Sequence, residues 1–254
     1  MRKYLVFTLR GPMQSWGTAS AVGEVRASAG RPGRSGVMGL VAAALGIRRN
    51  DPDALEILHG AARIAVRADA SGERMIDYHT VQTPPSVRKV TYHTRRDELV
   101  NKVCKEQLST ILSRREYLAG AAFTVCVWLE ADAGYGVDDM RDALARPRLA
   151  LYLGRKSCPP GFPLLPEIVP ADNVAGAFER YDEMRGERCL NAGPLFTGSQ
   201  VWSDAGHGVP GVEERSTVYS VRDVLTNSAR RQFAMRQEHH FTLRRNPEVE
   251  HVHE

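Results

Sequence analysis

Three features of the chain predict an α+β fold. Hydrophobic residues at period-two and helical spacing follow the order strand, helices, strand, strand, helix, strand. A polar, partly basic stretch of roughly fifty residues separates the second strand from the third, longer than an ordinary connection. The final hundred or so residues are rich in Pro, Gly and Asp, and their strand signals return only near the end. The order is that of a split βαβ, ferredoxin-like (RRM-like) domain. The expected plan is therefore a sheet domain over 1–71 and 121–156, an inserted hairpin arm over 72–120, and an irregular β-rich C-terminal lobe over 157–254.

Each element has a local reason. Tyr4 to Leu9 is apolar and β-rich, and Gly11-Pro12 stops it. Residues 10–34 show little periodicity and read as a long loop. Ser35 is placed to cap a helix carrying Val37, Leu40, Val41, Ala44 and Leu45 on one face, with Gly46 closing it in the left-handed conformation. A second helix starts at Asp51 with Pro52 in its first turn and ends at Gly60. Ala62, Ile64, Val66 and Ala68 alternate with Arg63, Arg67 and Asp69, a half-buried strand; Phe123, Val125, Val127 and Leu129 repeat the pattern. A short helix runs from Asp138 to Ala145 until Pro147 stops it. Leu149 to Leu153 then reads as the last strand of the sheet domain, and further strands are expected at Thr217 to Val221 and Gln232 to Leu243.

Composition sets the outer bounds. With 254 residues, 43% hydrophobic, the chain can bury one sizeable core and a smaller second one. It lacks the run of about 18 apolar residues that a membrane helix needs, and its first apolar stretch stops at Arg10 without a cleavage signal, so a cytoplasmic protein is expected. Cys104, Cys126, Cys158 and Cys189 stand far apart with no CxxC pair, the pattern of reduced thiols rather than a disulfide framework or zinc site. His239-His240 and the terminal His251 and His253 lack the rigid frame a metal needs. No nucleotide-binding or nucleophile motif occurs, so no metal, cofactor or catalytic group is assigned.

A net charge of +4 decides little, but the arginines cluster. They fall at Arg26, Arg31 and Arg34; at Arg88, Lys89, Arg95 and Arg96; at Arg114 and Arg115; at Arg146, Arg148, Arg155 and Lys156; and at Arg230, Arg231 and Arg236. Solvated faces and polyanion contacts both produce such clusters.

Several blocks, in order, resemble the CasD-type subunits of type I-E CRISPR Cascade, members of the RAMP superfamily. They are Tyr4-Leu5-Val6-Phe7 with Gly11-Pro12-Met13-Gln14-Ser15-Trp16-Gly17; Arg34-Ser35-Gly36-Val37-Met38-Gly39-Leu40; Asp77-Tyr78-His79-Thr80-Val81; Arg115-Glu116-Tyr117-Leu118; Tyr152-Leu153-Gly154-Arg155-Lys156-Ser157-Cys158-Pro159; and Arg231-Gln232-Phe233-Ala234. The resemblance implies a ferredoxin-like palm, an extended thumb, and a non-catalytic RNA-binding role at the 5′ handle of the guide RNA (crRNA). It also implies a thumb that reaches the neighbouring Cascade backbone subunit, a palm that touches the large subunit, and target DNA engaged only indirectly. Some relatives in other subtypes cleave repeat RNA without metal, which supplies the alternative function.

The candidate RNA-binding residues follow, each with a plainer reading beside it. Arg34, Ser35 and Gly36 sit at a helix start, where free amides and the helix dipole favour a phosphate; an ordinary cap with tight packing is the alternative. Trp16 offers a stacking face and Gln14 a base-reading amide, unless both pack into the core. Arg26 and Arg31 lie in the long loop between them. His79, beside Tyr78 and with Lys89, Tyr92 and His93 further along, could move protons in RNA cleavage or fasten the base of the arm. Arg114, Arg115 and Tyr117 stand where the arm returns and could clamp a nucleotide, or pair with Glu116 or Glu98. Arg155 and Lys156 follow Gly154 in a loop suited to a phosphate or to an acidic partner surface.

Overall fold

The computed structural model describes residues 1–18, 24–86, 90–101, 104–188, 199–204, 216–228, 230 and 232–243. Cys189, Arg88, Lys89, Arg231, His251 and His253 lie outside them. In chain order the strands and helices are β1 (Arg2–Arg10), β2 (Met13–Gln14), β3 (Trp16–Gly17), β4 (Val25–Arg26), β5 (Ser28–Ala29), α1 (Arg34–Leu45), α2 (Pro52–Ala61), β6 (Ala62–Ala70), β7 (Glu73–Thr83), β8 (Ser109–Ala119), β9 (Ala122–Leu129), α3 (Val137–Ala145), β10 (Glu167–Ala171), α4 (Val174–Arg188), β11 (Ser199–Asp204), β12 (Thr217–Asn227) and β13 (Gln232–Leu243). The result is a mixed α/β protein whose sheets are mostly antiparallel.

The main sheet has seven strands in the order β10-β1-β9-β6-β11-β13-β12. Its first four come from the two stretches expected to form the sheet domain, with one correction. Leu149 to Leu153 is not a strand. Its backbone bonds are spent locally: Leu153 N–H donates to Cys158 O (2.7 Å), and Leu153 O accepts from Ser15 N–H (3.0 Å). The free edge of β1 is taken instead by β10, paired from Arg2↔Ala171 to Val6↔Glu167. Strands β11, β13 and β12 continue the same sheet from the β6 edge.

Both faces of the β10-β1-β9-β6 part of this sheet are covered, which the sequence did not suggest. Leu5, Phe7 and Leu9 of β1 and Phe123, Val125 and Val127 of β9 pack with α1, α2 and α3. The alternate residues Tyr4, Val6, Cys126 and Trp128 pack with Val174, Ala177, Phe178 and Tyr181 of α4. That helix lies in the stretch expected to be irregular and β-rich. Its apolar residues recur at i, i+3, i+4 and i+7, a signal obscured by the surrounding Pro and Gly. Arg67 and Asp69, expected on a solvent face of β6, are therefore interior. Arg67 donates to Asp69 (2.7 Å) and bidentately to Asp182 (2.7 and 2.8 Å), and its guanidinium lies 4.9 Å from the Phe178 ring. Pairing raises the Arg67 pKa against the cost of burial.

His59, on the last turn of α2, is 6% exposed, and its Nδ1 has no hydrogen-bond partner. Burial, and then the Arg34 cation, pull its pKa down from 6.5 to about 4. Between those values the unfolded chain holds a proton that the folded chain refuses, so stability falls as pH drops. The full span corresponds to about 3 kcal/mol at the usual conversion. Urea unfolding at pH 7, 5.5 and 4 should show this decline, and His59→Leu should flatten it.

Candidate nucleic-acid interface

The start of α1 is not an open anion site. Its cap is Gly33 rather than Ser35, with no side-chain hydrogen bond, and Ser35 sits half-buried in the first turn. The place a phosphate would occupy is filled by Asp223 of β12, whose Oδ2 accepts from the Arg34 backbone N–H at 2.8 Å. The Arg34 side chain, 3% exposed, ion-pairs with Asp204 (2.6 Å) and donates to the carbonyls of His59 and Ala62. Gly36 is needed by Trp16 rather than by a ligand: a Cβ there would lie 3.0 Å from the indole Cε3. Asp223 stands 189 residues from Arg34 along the chain, so no local signal could have announced it.

Gln14 and Trp16 are likewise interior. The Gln14 amide donates to Leu9 O (3.2 Å) and Ala121 O (2.8 Å), and its Oε1 accepts from Trp16 Nε1 (3.0 Å). Both residues are 3% exposed or less. The pair ties the loop after β1 to the core, and its polar atoms are fully used, so neither residue reads a base.

The remaining candidates converge where the arm joins the sheet. Strands β7 and β8 form an antiparallel ribbon of eleven residues each, in register from Glu73↔Ala119 to Thr83↔Ser109. The other edge of β8 takes β2 and, in parallel, β4, which sets Arg26 beside Arg115 and Val25 beside Arg114. Strand alternation then sorts the side chains. Arg26, Arg115, Tyr117 and His79 share one face; Arg114, Tyr78, Arg74 and Glu116 share the other.

Arg155 reaches the first face from the loop after Gly154. It donates from Nη2 to Arg26 O (2.8 Å), and its guanidinium carbon lies 5.2 Å from the centre of the Tyr117 ring. Its Nη1 is buried without a hydrogen-bond partner. Thus Arg155, rather than Arg114 or Arg115, forms the cation–aromatic pair with Tyr117. Lys156 beside it is exposed, and Arg115 is half-buried; neither has an ion-pair partner among the described residues. Glu116 is occupied on the opposite face by Arg74 (3.1 Å) and by the Ser28 N–H (3.1 Å). His79 is bound to Asp77 two residues away, a contact that fastens the ribbon. Backbone pairing sets Arg26 beside Arg115, and stacking on Tyr117 holds Arg155.

Gly154 makes the turn possible, with φ +86° and a would-be Cβ only 1.8 Å from Ser15 O. Gly154→Ala is expected to cost roughly 2 kcal/mol or more. At the usual scaling this is a fall of about 5 °C in Tm, measurable by calorimetry.

With this geometry in place, comparison with known proteins is decisive. The family model described as CRISPR-associated protein (Cas_Cas5) matches residues 4–238. The chain belongs to the Cas5 family. Its 187 residues aligned with the CRISPR system Cascade subunit CasD of Escherichia coli (strain K12) are 36% identical and span 74% of this chain and 80% of the relative. A solved chain described as a CRISPR RNA-guided surveillance complex superposes with a TM-score of 0.64 at 27% identity, covering 97% of this Cas5 chain and 92% of the other. A second, described as a Cas protein, gives 0.62 at 28% identity with 95% of each chain covered. No described helix of this Cas5 protein is long and apolar enough to cross a membrane, and no metal-ligating cluster occurs among the described residues.

Proposed function

We propose that this Cas5 chain is the non-catalytic subunit of a Cascade-type surveillance complex that holds the unpaired 5′ handle of the guide RNA at the base of its arm. The observation that carries this reading is the convergence of Arg26, Arg115 and Arg155 with Tyr117 on one face of β4 and β8, with exposed Lys156 next to Arg155 in the chain. Cations supply phosphate affinity, and an aromatic–guanidinium pair supplies a planar surface beside which an unstacked base can lie. The similarity to CasD and to a surveillance-complex chain supports the assignment to RNA rather than to another polyanion.

On this reading residues 1–71 and 121–156 act as a ferredoxin-like palm, completed by β10; the order β10-β1-β9-β6 supports the comparison. Residues 72–120 are the thumb. Exposed Ile76, Tyr78, Val100, Ile111 and Leu112 leave it apolar enough to lie against a neighbouring backbone subunit. The palm touches the large subunit, and target DNA is met only through the guide. His79 is bonded to Asp77 two residues away on the same strand, which suits a role in fastening the arm.

Titrating a labelled unpaired handle RNA into the full chain at several salt concentrations tests the proposal. Saturable binding that weakens linearly with log salt is expected. Absence of binding at low salt, with the folded state intact, would remove the RNA-holding role.

A further inference from the structure

A second aromatic surface lies on β11, β13 and β12, away from the arm. The Trp202 and His240 rings are stacked, with centroids 4.9 Å apart and planes 10° from parallel. Tyr219 follows, 6.0 Å from the His240 ring at 46°. The Arg31 guanidinium carbon lies 4.8 Å from the Trp202 ring, and the same guanidinium is ion-paired to Glu238. Trp202 and His240 are direct register partners, and Tyr219 pairs with Glu238, so all three rings stand on one face of the sheet. That face is the one beneath the start of α1, because Asp204, two residues from Trp202, pairs with Arg34.

Rings packed merely to fill a core would be buried at every member. This ladder ends at Tyr219, which is 48% exposed. Burial, and then Arg31, hold the His240 pKa below its usual value, so the imidazole is neutral near neutral pH and stacks as an uncharged ring. Arg31 is fixed by Glu238 and lays its planar guanidinium against the Trp202 ring. An exposed tyrosine backed by a half-buried row of rings and an adjoining guanidinium is chemistry suited to an unpaired nucleotide.

The ladder is also joined to the arm base. Arg26 accepts the Arg155 bond, Ser28 binds Glu116, and Arg31 touches Trp202. Arg26 and Arg31 are five residue steps apart in one segment, a span of roughly 17 Å at most. We propose that Trp202, His240 and Tyr219, with Arg31, form a stacking platform for an unpaired nucleotide of the RNA whose phosphates the arm base holds. The platform rests on the RNA-binding role proposed above and adds a site on the C-terminal strands.

Intrinsic fluorescence reads it out. Of the three tryptophans, Trp16 and Trp128 are buried and Trp202 alone is half-exposed. Titrating single-stranded RNA into the full chain should quench the emission saturably, and Trp202→Phe should abolish the quenching. Tyr219→Ala with His240→Ala should weaken binding about tenfold while leaving the salt slope unchanged, since rings release no counterions. Tyr219→Ala alone, at an exposed position, gives the same direction should the double variant fail to fold. Unchanged emission together with wild-type affinity in Tyr219→Ala overturns the platform. If Arg115→Glu with Lys156→Glu still loses RNA, the arm-base reading stands without it; if that variant binds normally too, the RNA role itself fails.

Discussion

Replacing Arg236 by Ala lowers the unfolding free energy by about 3–5 kcal/mol, the usual cost of leaving buried charge uncompensated. Arg236 holds three carboxylates at once. It donates to Asp223 from Nε (2.6 Å) and Nη2 (3.0 Å), to Glu238 from Nη2 (2.6 Å), and ion-pairs with Asp204 through Nη1 (2.8 Å). Asp204, Asp223 and Glu238 are each 7% exposed or less, so water cannot take over when the guanidinium is removed. Arg31 and Arg34 complete the group on the side of α1. Three arginines and three carboxylates thereby join the first helix to the last three strands. Lys at 236 should rescue only part of the loss, because one ammonium cannot match a fork that serves three partners. Urea unfolding measures the effect, and added salt should change it little, since the group is buried. A loss under about 1 kcal/mol would mean the network does not secure the C-terminal strands.

Reversing both Arg115 and Lys156 to Glu weakens binding of the handle RNA on the order of a hundredfold near physiological salt. Each single-strand phosphate contact contributes about 0.7 to the slope of log affinity on log salt. Two lost contacts should therefore reduce that slope by about 1.4. Neutralising both with Gln should cost roughly tenfold, and reversal adds repulsion of similar size. Neither residue has an ion-pair partner among the described residues, so the change breaks no internal ion pair, and the Gln pair avoids the like-charge contact that a glutamate at position 115 would make with its register partner Asp77. Arg34→Gln is a different case: that side chain is interior, and its loss should appear as instability, with RNA affinity per folded molecule retained. Fluorescence anisotropy across salt, paired with circular dichroism, separates the two behaviours.

The sequence errors share a physical origin. Arg34-Ser35-Gly36 carried every local mark of a phosphate site, yet the anion there belongs to Asp223. A helix start asks for negative charge without specifying whether it comes from a ligand or from the same chain. Gln14 and Trp16 looked like base-reading groups because their types are versatile; only packing reveals that they satisfy each other. The strand expected at Leu149 to Leu153 had an apolar alternation but no free sheet edge to join, and β10 took that edge. The arm-base residues were legible for a sounder reason. Arg115 and Tyr117 are two apart on one strand, so alternation alone places them on one face.

From the sequence alone came the order of the main elements as far as α3, the helix limits at Gly46 and Pro52, and the family resemblance. These depend on hydrophobic period, turn chemistry and runs of residues that lie next to each other in the chain. Tertiary structure alone decided which charges face water. Arg34 and Arg67 are buried, and Arg236 largely so, because carboxylates from distant strands and helices meet them, whereas Arg115 and Lys156 meet none among the described residues. A charged side chain reads the same in a sequence whether its counterion is an aspartate across the sheet or a phosphate from outside; the contacts made on folding separate the two.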